Sequence, residues 1–226
     1  MEQKWHIIRR CVIFHMKTAN EIQRMFDQVH TYERTYRHGQ WIISEGDQAD
    51  VLGIVLTGSV GIHKIYPSGH SVLLTTLQQG DSFGEAVLFS RQRTYPATVI
   101  AREPTTILWL PREALVHLFS FDPAIMISFM EDLSQRVLLL NQKIEILSLG
   151  SLRQRIASVL IQLSRRQNSN VIQLPYSRKT WAEYLNVQRP SLSRELSQMR
   201  NEQLIEFDRS TVTILQISEL ERLLER

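Results

Sequence analysis

The feature that most constrains this chain is a long uninterrupted helical pattern over residues 122–150. Asp122 can accept hydrogen bonds from the free amides of a first helical turn, Pro123 suits the first helical position, and Gly150 suits a left-handed helix end. At about 1.5 Å per residue, such a helix is roughly 40 Å long. The remaining sequence is therefore predicted to form separate parts at the two ends of this helix.

Apolar residues inside this pattern repeat every seven positions in two registers, as in the a/d seam of a coiled coil. The seam comprises Met126, Met130, Leu133, Val137, Leu140, Ile144 and Leu147. Because Val137 and Ile144 occupy a positions and leucine fills most d positions, the pattern favours a parallel homodimer. The alternative is a buried core helix in a monomer.

Apolar residues also lie outside the seam, at Phe129, Leu138, Leu139 and Ile146. They are the main support for the monomeric alternative. In the dimer they form a second stripe that is able to cover the neighbouring domain.

The composition is that of a globular chain: with 226 residues, 43% of them hydrophobic, it is long enough to bury a sizeable core in two domains. No apolar run reaches the ~18 to 20 residues of a membrane span. Arg9 and Arg10 interrupt the apolar stretch at residues 6–16, unlike a signal peptide. We therefore expect a cytoplasmic protein with no membrane partner.

A single cysteine, Cys11, limits the redox and metal chemistry of the chain. It excludes an internal disulfide, a four-thiolate zinc site and a cysteine-held iron–sulfur cluster. We expect Cys11 to be a buried or half-buried thiol.

Positive charge is concentrated after the long helix. Residues 151–200 contain nine Lys and Arg residues against two acidic residues, a net charge of +7, whereas the whole chain carries +3. This asymmetry indicates a polyanionic partner, although a basic segment alone is often only a solvated face.

The chain before the long helix changes period from helix to strand. A helix is predicted to start at Asn20, since apolar residues recur with helical spacing from Ile22 to Val29. Beyond it, glycines at intervals of seven to twelve residues separate short runs rich in Val, Ile, Leu and Thr, as in an all-β domain. The predicted strands are residues 40–43, 51–56, 59–65, 71–77, 97–101 and 106–110. Such hairpins form a small barrel or roll whose interior suits a small ligand, while residues 1–17 stay unassigned.

Two short helices after the long one are predicted to form a helix-turn-helix. Ser177 caps a helix over residues 178–185, a turn follows at residues 186–188, and Pro190 opens a helix that runs to about Asn201. The second helix is apolar on one face and small, polar and basic on the other, where Arg194 is long enough for a bidentate contact to guanine. Residues 204–207 and 211–215 are predicted to form the hairpin of a winged domain, and a last helix covers residues 218–224.

These motifs together resemble the CRP/FNR family of bacterial transcription regulators. In the β-rich part the likeness is carried by LGIVLTGSV at residues 52–60, by Gly69, by Gly80-Asp81, by Phe83-Gly84-Glu85 and by Ala97. Gln188-Arg189-Pro190-Ser191-Leu192-Ser193-Arg194 is similar to the start of that family's recognition helix. The likeness covers nearly the whole chain after about residue 20.

The resemblance implies an α+β fold with an N-terminal double-stranded β-roll, a long dimerisation helix and a C-terminal winged helix-turn-helix. The corresponding segments are an effector-sensing domain at 1–121, a dimerisation helix at 122–150 and a DNA-binding domain at 151–226. It implies a homodimeric regulator without catalytic activity, whose partners are double-stranded DNA, a second copy of the chain and RNA polymerase.

The DNA-contacting residues implied by the resemblance lie at the start of the two short helices. They are Ser177, Arg178, Gln188, Arg189, Pro190, Ser191, Ser193 and Arg194. Among these, Ser177, Arg178 and Ser191 match phosphate-contacting positions, which set register and carry no base information. Many members have Glu where this chain has Pro190, so we expect a different DNA sequence to be read.

The effector site implied by the resemblance comprises Phe83, Gly84, Glu85 and Tyr95. In nucleotide-binding members, the Gly-Glu pair opens a short helix whose amides face the phosphate, and the Glu holds the ribose. Members that bind cyclic AMP place an Arg-Ser pair where this chain has Tyr95-Pro96, so the cationic phosphate clamp is missing. We therefore expect no response to cyclic AMP. An aromatic or less charged small molecule suits the cavity better, and a purely structural role for Gly84 and Glu85 is an equal alternative.

Other ligands and functions are less well supported by the residues. The seven histidines show no H-x-H or H-x-x-x-H pairing, so no metal site is predicted, and each is better explained as a surface or satisfied histidine than as a haem ligand. The alternative function is a cupin-like enzyme or other ligand-binding protein whose C-terminal helices bind another protein. The basic segment at 151–200 argues against it.

The second apolar stripe of the long helix also suggests a mechanism. A ligand in the β-roll that contacts this stripe would alter the relative placement of the two Arg194 side chains in a dimer.

Overall fold

The computed structural model describes residues 2–208 and 210–225 and divides into two compact units, Met1–Gln135 and Arg136–Arg226. The helices are α1 Glu2–Ile8, α2 Ala19–Phe26, α3 Glu85–Leu88, α4 Arg112–Phe121, α5 Pro123–Ser148, α6 Leu152–Gln167, α7 Arg178–Tyr184, α8 Arg189–Asn201 and α9 Ile217–Leu224. The strands are β1 Tyr32–Tyr36, β2 Trp41–Ile43, β3 Val51–Thr57, β4 Val60–Ile65, β5 Ser71–Leu77, β6 Ser82–Phe83, β7 Thr98–Ala101, β8 Thr105–Pro111, β9 Val171–Gln173, β10 Ile205–Phe207 and β11 Thr211–Ile214. The predicted α+β class is confirmed.

The β-roll of the first unit consists of two four-stranded sheets, with strand orders β1-β8-β3-β6 and β2-β7-β4-β5. Strand β3 is buried on both faces, because Leu52, Ile54 and Leu56 belong to one apolar core and Val55 to another. A strand covered on both sides reads as a continuous apolar run, which explains why this segment lacks the alternation of a half-exposed strand. The one residue of this apolar run without a side chain is Gly53. A Cβ there would lie 2.3 Å from the Phe83 ring, so only glycine fits at this position.

The N-terminal segment left unassigned by the sequence packs onto the outer face of β3 and β8. Ile8, Cys11 and Phe14 are each at most 1% exposed and share a core with Leu108 and Leu110. The predicted burial of Cys11 is confirmed, and burial raises the pKa of its thiol to about 11. A thiol with this pKa stays protonated and unreactive at neutral pH.

Several boundaries differ from the sequence prediction. Helix α2 starts one residue before Asn20, because Thr18 and Glu21 form a capping box in which each side chain binds the other's backbone amide. Strands β1 and β6 and helix α4 were not predicted. The polar β1 sequence YERTY forms a strand by pairing along its length with β8, a tertiary contact that its local pattern does not indicate.

Helix α5 begins as predicted and ends differently. The Asp122 carboxylate accepts a hydrogen bond from the Ala124 amide at 3.1 Å. Gly150 does not adopt a positive φ, so the predicted left-handed end is wrong. Instead the helix stops at Ser148, and Ser151 starts α6 with its own capping box, which leaves only a short link.

Among the described residues, no single helix is long and apolar enough to cross a membrane. Taken together, α4 and α5 have the length and apolar composition of a membrane span, but their axes are bent by 119° at the break between them.

The second unit packs helices around one apolar core. Its three-stranded sheet has the order β10-β11-β9, and β10 and β11 form the predicted hairpin. Trp181 of α7, Leu192 and Leu196 of α8 and Ile146 of α5 are almost fully buried in this core. The core therefore fixes α8 on the second unit by its apolar face.

Candidate nucleic-acid interface and ligand cavity

Helix α8 presents one polar face to solvent because its other face is committed to the core. Leu192, Leu196 and Met199 are at most 1% exposed. Gln188 is the N-cap residue, and Pro190 lies in the first turn, where its missing amide hydrogen leaves no helical bond unmade. The predicted DNA-facing residues Gln188, Arg189, Pro190, Ser193 and Arg194 are all exposed, and Ser191 is half-buried.

Two arginines on this face keep their full donor capacity. Within the part of the chain that the structure describes, neither Arg189 nor Arg194 makes a salt bridge or a side-chain hydrogen bond. A free guanidinium group offers five donors in a planar fork that matches guanine edges or phosphate oxygens. The face is therefore basic and available to an external anion.

The acids near α8 are held by a single arginine of α6. Arg153 donates from Nε to Glu195 at 2.7 Å and from both terminal nitrogens to Glu202 at 2.6 and 3.0 Å. The hydrogen bonds from Arg153 hold the pKa of the Glu202 carboxyl below its ordinary value of 4.5. This Arg153 clamp joins α6 to the middle of α8 through Glu195 and to the end of α8 through Glu202. It also neutralises two carboxylates that would repel a polyanion.

Not every basic residue of the segment 151–200 adds to a DNA-facing surface. Arg155 donates to the carbonyl oxygens of Leu149 and Leu185, and Arg165 pairs with Glu221 at 3.2 Å. With Arg153 also paired, the free positive charge is smaller than the net count of +7 suggests. Lys179, Arg189 and Arg194 are exposed and unpaired within the described residues.

Arg178 is placed differently from the other predicted DNA-contacting residues. Its guanidinium group lies 4.7 Å from the Phe207 ring centroid and 5.8 Å from that of Trp181, and burial lowers its pKa. Ser177, its neighbour, is exposed and caps α7 by accepting a hydrogen bond from the Thr180 amide at 3.1 Å. Arg178 therefore packs against the base of the wing.

The seam face of α5 is apolar and uncovered. Met130, Val137, Leu140 and Ile144 are 55 to 65% exposed, and Met126 is 39% exposed. Leu133 and Leu147 are half-buried. An apolar stripe of this size on one helix is typical of an interaction surface.

The residues outside the seam divide into two kinds. Phe129 packs against Phe89 and Phe119 in the first unit, and Ile146 belongs to the core of the second. Leu138 and Leu139 lie between these two anchors and are 57 and 49% exposed. The helix is thus anchored at each end and bare in the middle.

The four predicted effector residues meet inside the β-roll. Gly84 has φ +96° and is the N-cap residue of the one-turn helix α3, which begins with the buried Glu85. The Tyr95 hydroxyl donates to the Val51 carbonyl oxygen at 2.6 Å, and a Cβ at Gly84 would lie 3.3 Å from Tyr95. Burial raises the pKa of Tyr95 strongly. The phenol ring therefore already fills the space beside Gly84.

A cavity of about 170 Å³ opens on the β-roll next to Tyr95. It is lined by Tyr32, Arg34, Tyr36, Ile42, Ile43, Asp47, Gln48, Val51, Tyr95 and Trp109. The buried rings of Tyr36, Tyr95 and Trp109 line its inner part. Burial raises the pKa of Tyr36, and the neighbouring Trp109 indole partly offsets this rise. Phe83, Gly84 and Glu85 do not line this cavity. Over residues 2–208 and 210–225, no group of three or more His, Cys, Asp or Glu side chains is arranged to hold a metal ion.

Sequence reasoning missed the Arg153 clamp and the aromatic cavity. In the sequence, Arg153 is only one of several basic residues, and its pairing with Glu195 of α8 and with Glu202, just after α8, becomes visible in the fold. The cavity residues come from β1, β2, β3, β8 and the Tyr95 loop, and only the fold brings these distant segments together.

Comparison with known proteins follows the same division of the chain. The Cyclic nucleotide-binding domain family matches residues 33–121, and the Crp-like helix-turn-helix domain family matches residues 154–223. The chain is 24% identical over 189 residues to the cAMP-activated global transcriptional regulator CRP of Pasteurella multocida, covering 82% of this chain and 90% of that one. It is 26% identical over 195 residues to the Global nitrogen regulator of Synechococcus elongatus, covering 83% and 85%. The Thermus thermophilus Catabolite Activator Protein shares the fold, with a TM-score of 0.56, 24% identity and coverage of 95% and 98%.

The Arg153 clamp gives a pH-dependent prediction. Arg153→Met should lower the free energy of unfolding of the second unit by about 1 kcal/mol at neutral pH, a modest value because both partners are partly exposed. A depressed carboxyl pKa stabilises the fold above 4.5 and loses that contribution as the pH falls through the folded-state pKa. Urea unfolding should therefore show the difference between variant and wild type shrinking below pH 4.5.

The matched control is Arg222→Met, which removes the exposed pair with Glu219. It should change stability by less than Arg153→Met at neutral pH. An Arg153→Met deficit that stayed constant from pH 7 to pH 3 would show that the clamp does not act through these carboxylates.

Proposed function

This chain belongs to the CRP/FNR family of transcription regulators, with a cyclic nucleotide-binding domain followed by a Crp-like helix-turn-helix domain, and on that premise we propose that it binds specific palindromic DNA as a homodimer. The proposed segments are the effector-sensing part at 1–121, the dimerisation helix at 122–150 and the DNA-binding part at 151–226. The regulator acts on promoter DNA in the cytoplasm and contacts RNA polymerase.

The observation that carries the proposal is the face of α8. Arg189 and Arg194 are exposed and unpaired beside the small residues Pro190 and Ser193, so the helix backbone is able to approach a major groove closely. Arg194 is assigned to a guanine edge, where a bidentate contact discriminates between bases by about 1 to 3 kcal/mol. Ser177 and Ser191 are assigned to phosphates.

Arg178 has a supporting role in this proposal. Because its guanidinium group is held between Trp181 and Phe207, it stabilises the start of α7 and adds positive potential beneath the phosphate-binding edge. Lys179, the next residue, is exposed and better placed for a flexible phosphate contact.

The homodimer is proposed from the bare seam of α5. Burying the half-exposed Val137, Leu140 and Ile144 side chains against a second copy removes apolar surface from water, at about 25 cal/mol per Å². A parallel pairing places two α8 helices in two-fold symmetry. In known helix-turn-helix dimers, relatives among them, such half-sites are about 34 Å apart.

The proposed effector is a small molecule other than cyclic AMP. The relative from Pasteurella multocida is named as cAMP-activated. In this chain the Tyr95 ring lies beside Gly84, and Arg93, the nearest arginine in sequence to Tyr95, is exposed and lies 3.6 Å from the Asp50 carboxylate. Arg93 is therefore already paired, and a phosphodiester beside Gly84 would lose its water without gaining the cation of the Arg-Ser clamp; the arginine that lines the neighbouring cavity is Arg34.

Effector control is proposed to run along α5. Phe129 ties the helix to the core of the sensing unit, and Ile146 ties it to the core of the DNA-binding unit. A ligand that shifts one anchored end is able to change the placement of the other, which biases DNA affinity by population shift.

Replacing Arg194 by Ala should remove base discrimination at one position of each half-site. The expected loss is about 1 to 3 kcal/mol against the preferred base, with little change for other bases there, because the side chain reads an edge and not the backbone. Fluorescence anisotropy with duplexes that vary one position at a time measures this. Arg165→Ala, which removes an exposed arginine on α6, is the control, and unchanged discrimination in Arg194→Ala would reject the recognition assignment.

A charge in the seam should separate the dimer. Val137→Glu places a carboxylate at an a position, where desolvation and repulsion between two copies oppose association. Sedimentation velocity should show wild type as a dimer and Val137→Glu as a monomer with unchanged helix content. Gln135→Glu, on the opposite side of the heptad, should remain dimeric, and a dimeric Val137→Glu would place the interface elsewhere.

Cyclic AMP should leave the protein unaffected. At millimolar concentration we expect no rise in melting temperature and no change in DNA affinity, since a ligand that does not bind the native state does not stabilise it. A concentration-dependent rise would overturn the role given to Tyr95 and Pro96.

A further inference from the structure

We propose that the second unit carries an additional ligand site, a groove between α5, α6 and α7 that binds an amphipathic organic anion about the size of a two-ring carboxylate. The groove has a volume of about 260 Å³. It is lined by Leu139, Leu140, Gln142, Lys143, Val159, Gln162, Leu163, Arg166, Tyr176 and Tyr184. All of these residues belong to the same compact unit, so the site does not depend on the β-roll.

The groove has an apolar floor. Val159 and Leu163 of α6 are buried beneath it, and Leu139 and Leu140 of α5 line it while keeping about half of their surface exposed. Tyr176 and Tyr184 contribute two rings stacked at 5.3 Å with an interplanar angle of 17°. A flat apolar ligand would cover the exposed surface of Leu139, which lies outside the dimer seam, and extend the aromatic stack.

Two cations line the groove, and none of the described residues that line it is acidic. The Lys143 ammonium lies 5.6 Å from the centre of the Tyr184 ring, and Arg166 is exposed at the end of α6. Neither makes a salt bridge within the segments the structure describes, although the adjacent Arg165 is paired with Glu221. The charge of Arg166 reaches the site, because it opposes the rise in the Tyr184 pKa that burial and Tyr176 cause. The site therefore offers apolar surface and two donors to an anionic head group.

The size and chemistry of the groove limit the ligand class. Its volume is slightly below the range of about 300 to 1,000 Å³ typical of small-molecule sites, which suits a compact ring compound. Because Lys143 and Arg166 both line the groove, a ligand with a carboxylate head group is favoured over one with a neutral or cationic head group. A simple inorganic anion would leave the leucine floor uncovered.

The position of the groove gives the ligand a route to DNA affinity, and this part rests on the proposed function. Tyr184 lies at the end of α7, one short turn before α8, whereas Leu139 and Lys143 belong to α5. A ligand held by both elements would fix the helix-turn-helix relative to the end of the long helix and change the affinity for DNA.

The test uses the full chain with 2-naphthoate as the probe and 2-naphthamide as its neutral counterpart. Calorimetry without DNA should show 2-naphthoate binding at least tenfold more tightly than the amide. Arg166→Gln should weaken 2-naphthoate by about fivefold, as expected of a partly exposed charge pair, and leave the amide unchanged. Arg165→Gln is the matched control and should leave both affinities unchanged, and Tyr184→Ala should weaken both probes.

The site would be overturned by no binding of 2-naphthoate at millimolar concentration, by equal affinity for acid and amide, or by equal effects of Arg166→Gln and Arg165→Gln. Binding to monomeric Val137→Glu but not to wild type would also overturn it, because a second copy of the chain would then occupy the groove.

DNA affinity is measured separately, so that the two proposals fail independently. We expect saturating 2-naphthoate to change the wild-type dissociation constant for the preferred duplex at least threefold, and this change should be lost in Tyr184→Ala. If wild type bound no DNA, the proposed function would fail while the calorimetric result still decided the site. DNA binding that ignored bound 2-naphthoate would overturn the regulatory part of the inference.

Discussion

The structure depends on the apolar face of α5, which the single chain leaves exposed to solvent. The helix is 26 residues long, and Met130, Val137, Leu140 and Ile144 along it are more than half exposed. Packing of an apolar face, more than intrinsic propensity, gives most helices their stability in proteins. Phe129 and Ile146 supply such packing at the two ends only, so the middle of the helix requires a partner surface. We propose a second copy of the same seam as that partner, because its apolar residues repeat with the same heptad spacing.

The second constraint is the local pairing of charges, which decides which basic residues are available to DNA. Arg153 is used to hold Glu195 and Glu202, and Arg155 satisfies two carbonyl oxygens. These contacts fix α8 on the unit's core, so that Arg189 and Arg194 project from a rigid element. A recognition side chain on a rigid element loses less conformational entropy on binding than one on a flexible loop. In the proposed function, the paired arginines would contribute to DNA recognition by fixing the position of α8.

The sequence predicted elements whose signal is local. The heptads of α5, the Ser177 cap and the turn before Pro190 were read from neighbouring residues, and the structure has a helix or turn at each. It failed where the cause is tertiary, because β1 is polar and forms a strand by pairing with β8. The end of the long helix was mispredicted for a local reason, since Ser151 caps α6 directly after Gly150. The packing of Arg178 against Phe207 is likewise a tertiary contact that no local pattern indicates, since Phe207 is distant in sequence. The groove near Tyr184 and the cavity near Tyr95 also depend on side chains from several elements, which no single motif contains.

The central claim is that a basic helix face on a symmetric dimer binds DNA, and its salt dependence tests this most directly. If Lys179 and Arg189 of each protomer neutralise about four phosphates, the logarithm of the association constant should fall with the logarithm of salt concentration with a slope of about −4. The measurement is fluorescence anisotropy with a random-sequence duplex between 50 and 200 mM potassium chloride, concentrations at which such slopes are resolved. We expect this steep slope and its reduction by about 2 in Lys179→Ala, which loses one contact in each protomer. Absence of binding, or binding that salt does not weaken, would contradict it.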